Sequence, residues 1–102
     1  MSAFVIVERV EILDPAKLQE YLDVVSPTIE RRGGRYHVVS DSAEVLEGEW
    51  RPPALVMFEF PSREQALAWW SSDEYEPLKA IRRAGCVSNI VLVDGLEAGE
   101  AS

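Results

Sequence analysis

The sequence contains one cysteine, Cys86, and one histidine, His37, and no apolar run of membrane-spanning length. A lone cysteine excludes an intrachain disulfide and any thiolate cluster, and a lone histidine excludes the usual zinc sites within one chain. Cys86 precedes an apolar strand and reads as a small packed residue. A membrane helix needs roughly 18 consecutive apolar residues. Residues 1–20 also lack the basic start and apolar block of a signal peptide, so a cytoplasmic location is the expectation. Basic side chains are few: 10 Lys and Arg stand against 18 Asp and Glu, for a net charge of −8. Phosphate backbones would be repelled, so no nucleic-acid partner is expected. There is no glycine-rich phosphate loop and no serine elbow. The acidic stretch holding Asp41, Glu44, Glu47 and Glu49 lacks calcium-loop spacing and reads as a solvated loop. No metal and no cofactor are expected.

What is present suffices for one domain, expected over residues 1–96, with Glu97 to Ser102 as a small acidic tail that frays. Ala3 to Val10 is β-branched and aromatic and predicts a central strand. Asp14-Pro15 marks a helix start, and Leu18, Leu22, Val25 and Ile29 form one apolar stripe behind it. Pro27 is expected to kink that helix or end its regular part, and Gly33-Gly34 to supply its stop. Arg35 to Ser40 predicts a second strand. The acidic connection after it, with strand character around Ala43 to Leu46, leads through Trp50 and Pro52-Pro53 into a third strand, Ala54 to Phe60. Trp50 is expected to anchor this connection against a partner chain. Ser62-Arg63-Glu64-Gln65 matches a capping box, Ala66, Trp69 and Trp70 have the spacing of a buried helical face, and Ser71-Ser72-Asp73 breaks the helix before it resumes to Arg83. Val87 to Val93 predicts the fourth strand.

This order is the ferredoxin-like split βαββαβ plan of the α+β class: a four-stranded antiparallel sheet with its helices on one face. The strands are apolar on both parities, yet the helices can cover one face only. Pairing with a second copy is the economical way to bury the other, so a homodimer is expected.

Tyr21 and Pro27, Gly33-Gly34-Arg35-Tyr36, Leu46-Glu47-Gly48-Glu49-Trp50, Glu59-Phe60-Pro61-Ser62, Ala68-Trp69-Trp70 and Glu74-Tyr75 together resemble the uncharacterised domain family numbered 1330. The match runs from about Val5 to Gly95, in the right order and spacing. The resemblance implies a dimeric α+β barrel, a superfamily that includes small cofactor-independent monooxygenases and lactone isomerases; the family itself carries no established reaction. The chain departs from the family pattern at His37, where a hydrophobic residue is common, at Ser40-Asp41, where an Arg-Gly pair is common, and at Trp70, where a tyrosine is common.

Two constellations could carry chemistry. Strand parity places Arg35, His37 and Val39 on one face and Leu55, Met57 and Glu59 on one face of the next strand. His37 and Glu59 could then meet as an oriented general base, or His37 could simply pack at the dimer interface. On the last helix Arg82 shares a face with Tyr75, where a guanidinium needs either an internal carboxylate (Glu59, Glu74 or a partner acid) or an anionic ligand. Tyr21, Trp70 and Tyr75 could wall a pocket around it, or pack as core. The expected function is binding or cofactor-free transformation of a small aromatic or acidic metabolite; the alternative is a non-catalytic dimeric binding or structural module.

Overall fold

A computed structural model describes residues 1–96; the tail expected to fray lies outside the described residues. The chain runs β1 (Ala3–Ile12), α1 (Pro15–Glu30), β2 (Arg35–Ser40), β3 (Ala54–Phe60), α2 (Arg63–Trp70), α3 (Glu76–Gly85) and β4 (Cys86–Asp94). The strands form one sheet in the order β2-β3-β1-β4, every neighbouring pair antiparallel. This is the ferredoxin-like arrangement, and β1, the most β-prone stretch, sits inside it.

Each helix start follows from its local chemistry. The Asp14 side chain accepts from the backbone N–H groups of Ala16 (3.0 Å) and Lys17 (3.3 Å), with Pro15 at the first helical position. Ser62 caps α2 by accepting from the Gln65 N–H at 3.1 Å. The Gln65 side chain takes the Ser62 hydroxyl at 3.3 Å, where a full capping box would have it on the Ser62 backbone. Between α2 and α3 the Ser72 hydroxyl donates to the Trp69 carbonyl and accepts from the Tyr75 N–H, so the break is itself hydrogen-bonded.

Two expectations need correction. Pro27 lies inside α1 without ending it, because the helix continues to Glu30 and the Arg31 N–H still bonds the Pro27 carbonyl at 3.0 Å. Residues 41–53 contain no strand. Trp50, expected against a partner chain, has a bond within its own chain, its indole N–H donating to Glu8 at 2.7 Å, while its side chain stays 61% exposed.

The core lies between the helices and one sheet face. Val5, Phe58 and Phe60 meet Val25, Ile29, Ala66, Trp69 and Tyr75 there. Trp69 and Tyr75 are tilted against each other with ring centroids 4.1 Å apart, and Phe58 meets Trp69 edge-on at 5.3 Å. The Trp69 indole donates to Thr28 Oγ1 at 3.0 Å, tying α2 to α1. The opposite face carries Phe4, Ile6, Leu55, Met57, Val91 and Val93 and no helix; Val91 is 53% exposed.

Candidate functional site

Alternation along the strands sends Val5, Val7 and Arg9 of β1, Val56 and Phe58 of β3, and Cys86, Ser88 and Ile90 of β4 toward the helices. Together with Leu18, Tyr21, Leu22 and Val25 of α1, and with Trp69, Tyr75 and Arg82, they enclose a cavity of about 480 Å³. Its walls are aliphatic and aromatic. Among the described residues its charged lining groups are Arg9 and Arg82, with no Asp or Glu. In a chain of net charge −8, the cavity is a locally cationic well.

The polar end is built from α1 and the approach to α3. Tyr21 and Tyr75 are hydrogen-bonded through their hydroxyls at 2.8 Å, and Arg82 Nε donates to Tyr75 Oη at 3.4 Å. Tyr75 is fully buried and Arg82 only 6% exposed. Burial first, and the neighbouring Tyr75 second, push the Tyr21 phenol far above its ordinary range, so it stays protonated. A second hydroxyl pair lines the cavity where Ser26 donates to Tyr36 at 3.1 Å.

The structure therefore brings together Tyr21, Tyr75 and Arg82. It gives Arg82 no carboxylate partner among the described residues: Glu74 is held by Arg31 at 2.6 Å, and Glu59 lies across the sheet. The expected internal salt bridge is thus absent among the described residues. Trp70 lies beside Tyr75, with centroids 5.8 Å apart, and beneath Lys79 Nζ at 4.2 Å. It borders a smaller cavity of about 180 Å³ next to α2, so it stands behind the polar end as a stacking surface and does not wall the main cavity.

His37 and Glu59 do meet, with Nε2 to Oε1 at 2.8 Å, and Arg35 adds a contact at 3.4 Å to the same oxygen. A carboxylate can only accept, so His37 Nε2 carries the proton when Glu59 is ionised. The His37 bond is the main cause that holds Glu59 below its ordinary range, with Ser2 and Arg35 adding to it. This pair sits on the helix-free face, beside Phe4 at 5.5 Å from the imidazole. The parity expectation failed in one detail: the β2–β3 register shifts between Tyr36 and Val38, so Val39 pairs with Val56 and lines the cavity while His37 stays on the other face. A bulge reverses alternation in this way. The two constellations thus lie on opposite sides of one sheet.

Arg9 is the lining residue that sequence reasoning missed. Its parity with Val5 and Val7 was the available signal, since any charged residue on that side of β1 must face the helices.

The antiparallel order, the one-sided helices and the cavity between them define a protein of the ferredoxin-like α+β class. The chain belongs to the family described as domain of unknown function DUF1330, whose model matches residues 2–96. No functionally curated protein matches the sequence. Among solved structures it is similar to the RPA0582 protein of unknown function from Rhodopseudomonas palustris, with a TM-score of 0.77 at 15% identity, covering 94% of this chain and 83% of that one. It is similar to a dimeric ferredoxin-like protein of unknown function from Jannaschia sp. CCS1, with a TM-score of 0.70 at 10% identity, covering 93% of this chain and 100% of that one. SnoaB, a cofactor-independent oxygenase from Streptomyces nogalater, superimposes with a TM-score of 0.64 at 11% identity over 98% of each chain. At these identities the likeness establishes the fold alone.

Proposed function

We propose that the protein is a cytoplasmic homodimer that binds or transforms, without a cofactor, one small, largely apolar metabolite bearing an acidic group in the cavity of each protomer. The observation that carries this reading is Arg82: a guanidinium 6% exposed, on the wall of a cavity of about 480 Å³, with no carboxylate partner among the described residues. Its terminal nitrogens have no hydrogen-bond partner among the described residues and remain accessible, so an anionic ligand would supply charge-assisted partners for them. The volume falls within the roughly 300–1,000 Å³ of small-molecule sites. Tyr21, with Tyr75 bonded behind it, supplies a further polar contact, Arg9 adds positive potential, and Trp70 backs the anchor through its ring face. His37 and Glu59, on the other side of the sheet, cannot reach a molecule in this cavity of the same protomer, so we assign them to the face that a second copy would cover.

The dimeric relative from Jannaschia supports the homodimer, and the cofactor-independent oxygenase supports chemistry without a cofactor on this fold. Calorimetric titration with a panel of aromatic carboxylates and their uncharged amides tests the proposal. The wild type should prefer the carboxylates, and Arg82→Met should lose that preference by about tenfold or more, as expected for a charge-assisted contact. Equal binding of every acid by the Met variant would eliminate Arg82 as the anchor.

A further inference from the structure

The hydrogen-bond directions at the polar end follow from valence alone. Arg82 Nε has a proton and no accepting lone pair, so across the 3.4 Å contact it donates and Tyr75 Oη accepts. Tyr75 is fully buried, and the one other hydroxyl partner recorded for it is Tyr21, at 2.8 Å. A buried phenol that kept its proton off an acceptor would incur the cost of an unsatisfied donor. The Tyr75 proton therefore points to Tyr21 Oη. That leaves the Tyr21 proton without a partner inside the protein among the described residues, on a side chain that lines the cavity. The terminal nitrogens of Arg82 are in the same position, since the recorded hydrogen bond of this side chain uses Nε. At this end the cavity presents donors without partners among the described residues, beside a fixed positive charge.

We propose that Arg82, Tyr75 and Tyr21 form a one-way donor relay, so that the cavity accepts an oxygen anion (a carboxylate, phenolate or enolate oxygen on an apolar body) with Tyr21 as its contact and Tyr75 as a positioning residue. This rests on the reading of the cavity as a site for an acidic metabolite and narrows it. The guanidinium charge polarises Tyr75, Tyr75 polarises Tyr21, and the chain strengthens the terminal O–H as a donor. Ligands whose polar group is an ammonium would meet the like charges of Arg82 and Arg9 and be rejected. No bond is made or broken in this step; a proton is oriented.

The test is a double-mutant cycle read by titration calorimetry, with 2-naphthoate as the anionic probe and 2-methylnaphthalene as the oxygen-free body. Tyr21→Phe should weaken 2-naphthoate by about tenfold, the loss of one charge-assisted hydrogen bond, and leave 2-methylnaphthalene unchanged. Tyr75→Phe should also weaken 2-naphthoate, and the double variant should bind no worse than Tyr21→Phe, because Tyr75 acts through Tyr21. Full additivity of the two losses, unchanged 2-naphthoate binding in Tyr21→Phe, or equal loss of both probes would each overturn the relay. If Tyr75→Phe does not fold, the two probes on Tyr21→Phe decide alone. A wild type that binds 2-methylnaphthalene as well as 2-naphthoate, or binds neither, sinks the acid-site reading and the relay with it. Selective 2-naphthoate binding that is lost in Arg82→Met and intact in Tyr21→Phe sinks the relay alone.

Discussion

At the scale of single residues, the same ionisable type takes its role from what it faces. Arg31 lies on the surface against Glu74 at 2.6 Å, where solvent screening leaves such a pair worth little. Arg82 is buried with no carboxylate partner among the described residues, and its Nε donates to Tyr75 Oη instead. Glu59 is held ionised below its ordinary value of 4.5, first by the His37 bond and further by Ser2 and Arg35. A carboxylate whose folded value is depressed stabilises the fold above its unfolded value, and that stability is lost as pH falls through the folded one. Thermal unfolding of the wild type should therefore drop as pH decreases below 4.5, and Glu59→Gln should flatten that part of the profile. An unchanged acid limb in the Gln variant would show that the pair contributes nothing to stability. His37→Gln should shift the limb toward higher pH, since the largest cause of the depression is gone.

At the scale of elements, the cavity depends on how closely α1 and α3 approach. Gly85 ends α3 where an added Cβ would lie 2.6 Å from the Leu18 backbone nitrogen and 2.9 Å from its Cα. The Gly85 carbonyl also accepts from the Leu13 and Asp14 N–H groups at 2.8 and 3.0 Å, fastening the start of α1 to the end of α3. Backbone cannot rotate away as a side chain can, so Gly85→Ala should push the two helices apart and destabilise the protein by about 1–3 kcal/mol. Urea unfolding measures this, with a lowered midpoint expected and a shift in acid-ligand affinity accompanying it. Gly34 is a comparable close approach on the sheet side, because a Cβ there would meet Ile29 Cγ2 at 2.4 Å and Phe60 Cε1 at 2.9 Å. Much of this level was legible in the sequence. Asp14-Pro15, Ser62 and the Ser71-Ser72-Asp73 break mark the helix starts because capping is decided by neighbours along the chain. Pro27 does not end α1, because burial of Val25, Thr28 and Ile29 holds the helix through the hydrogen bond that proline omits.

At the scale of the whole molecule, the Cα extents of 43 × 39 × 16 Å describe a slab of two layers, a sheet and its helices. One broad face of the sheet carries Val87, Val91 and Val93 at 39–53% exposure, with His37 and Glu59 on the same side. An apolar face of this kind marks an association surface. Sedimentation should give a dimer, and Val91→Glu, which places a charge in the middle of the face, should shift it to monomer while acid binding in the helix-side cavity persists. A Val91→Glu protein that remained dimeric would place the association surface elsewhere. The sequence by itself determined the number and order of the elements, the antiparallel plan and the unpaired apolar face, because these depend on short-range propensity and on alternation that repeats along the chain. Only the tertiary structure decided that His37–Glu59 and Tyr21–Tyr75–Arg82 lie on opposite sides of the sheet, and that Arg9 and Val39 join the cavity. A single bulge in β2 reverses parity without a local sequence mark, and whether a buried arginine meets a carboxylate depends on residues that only folding brings near.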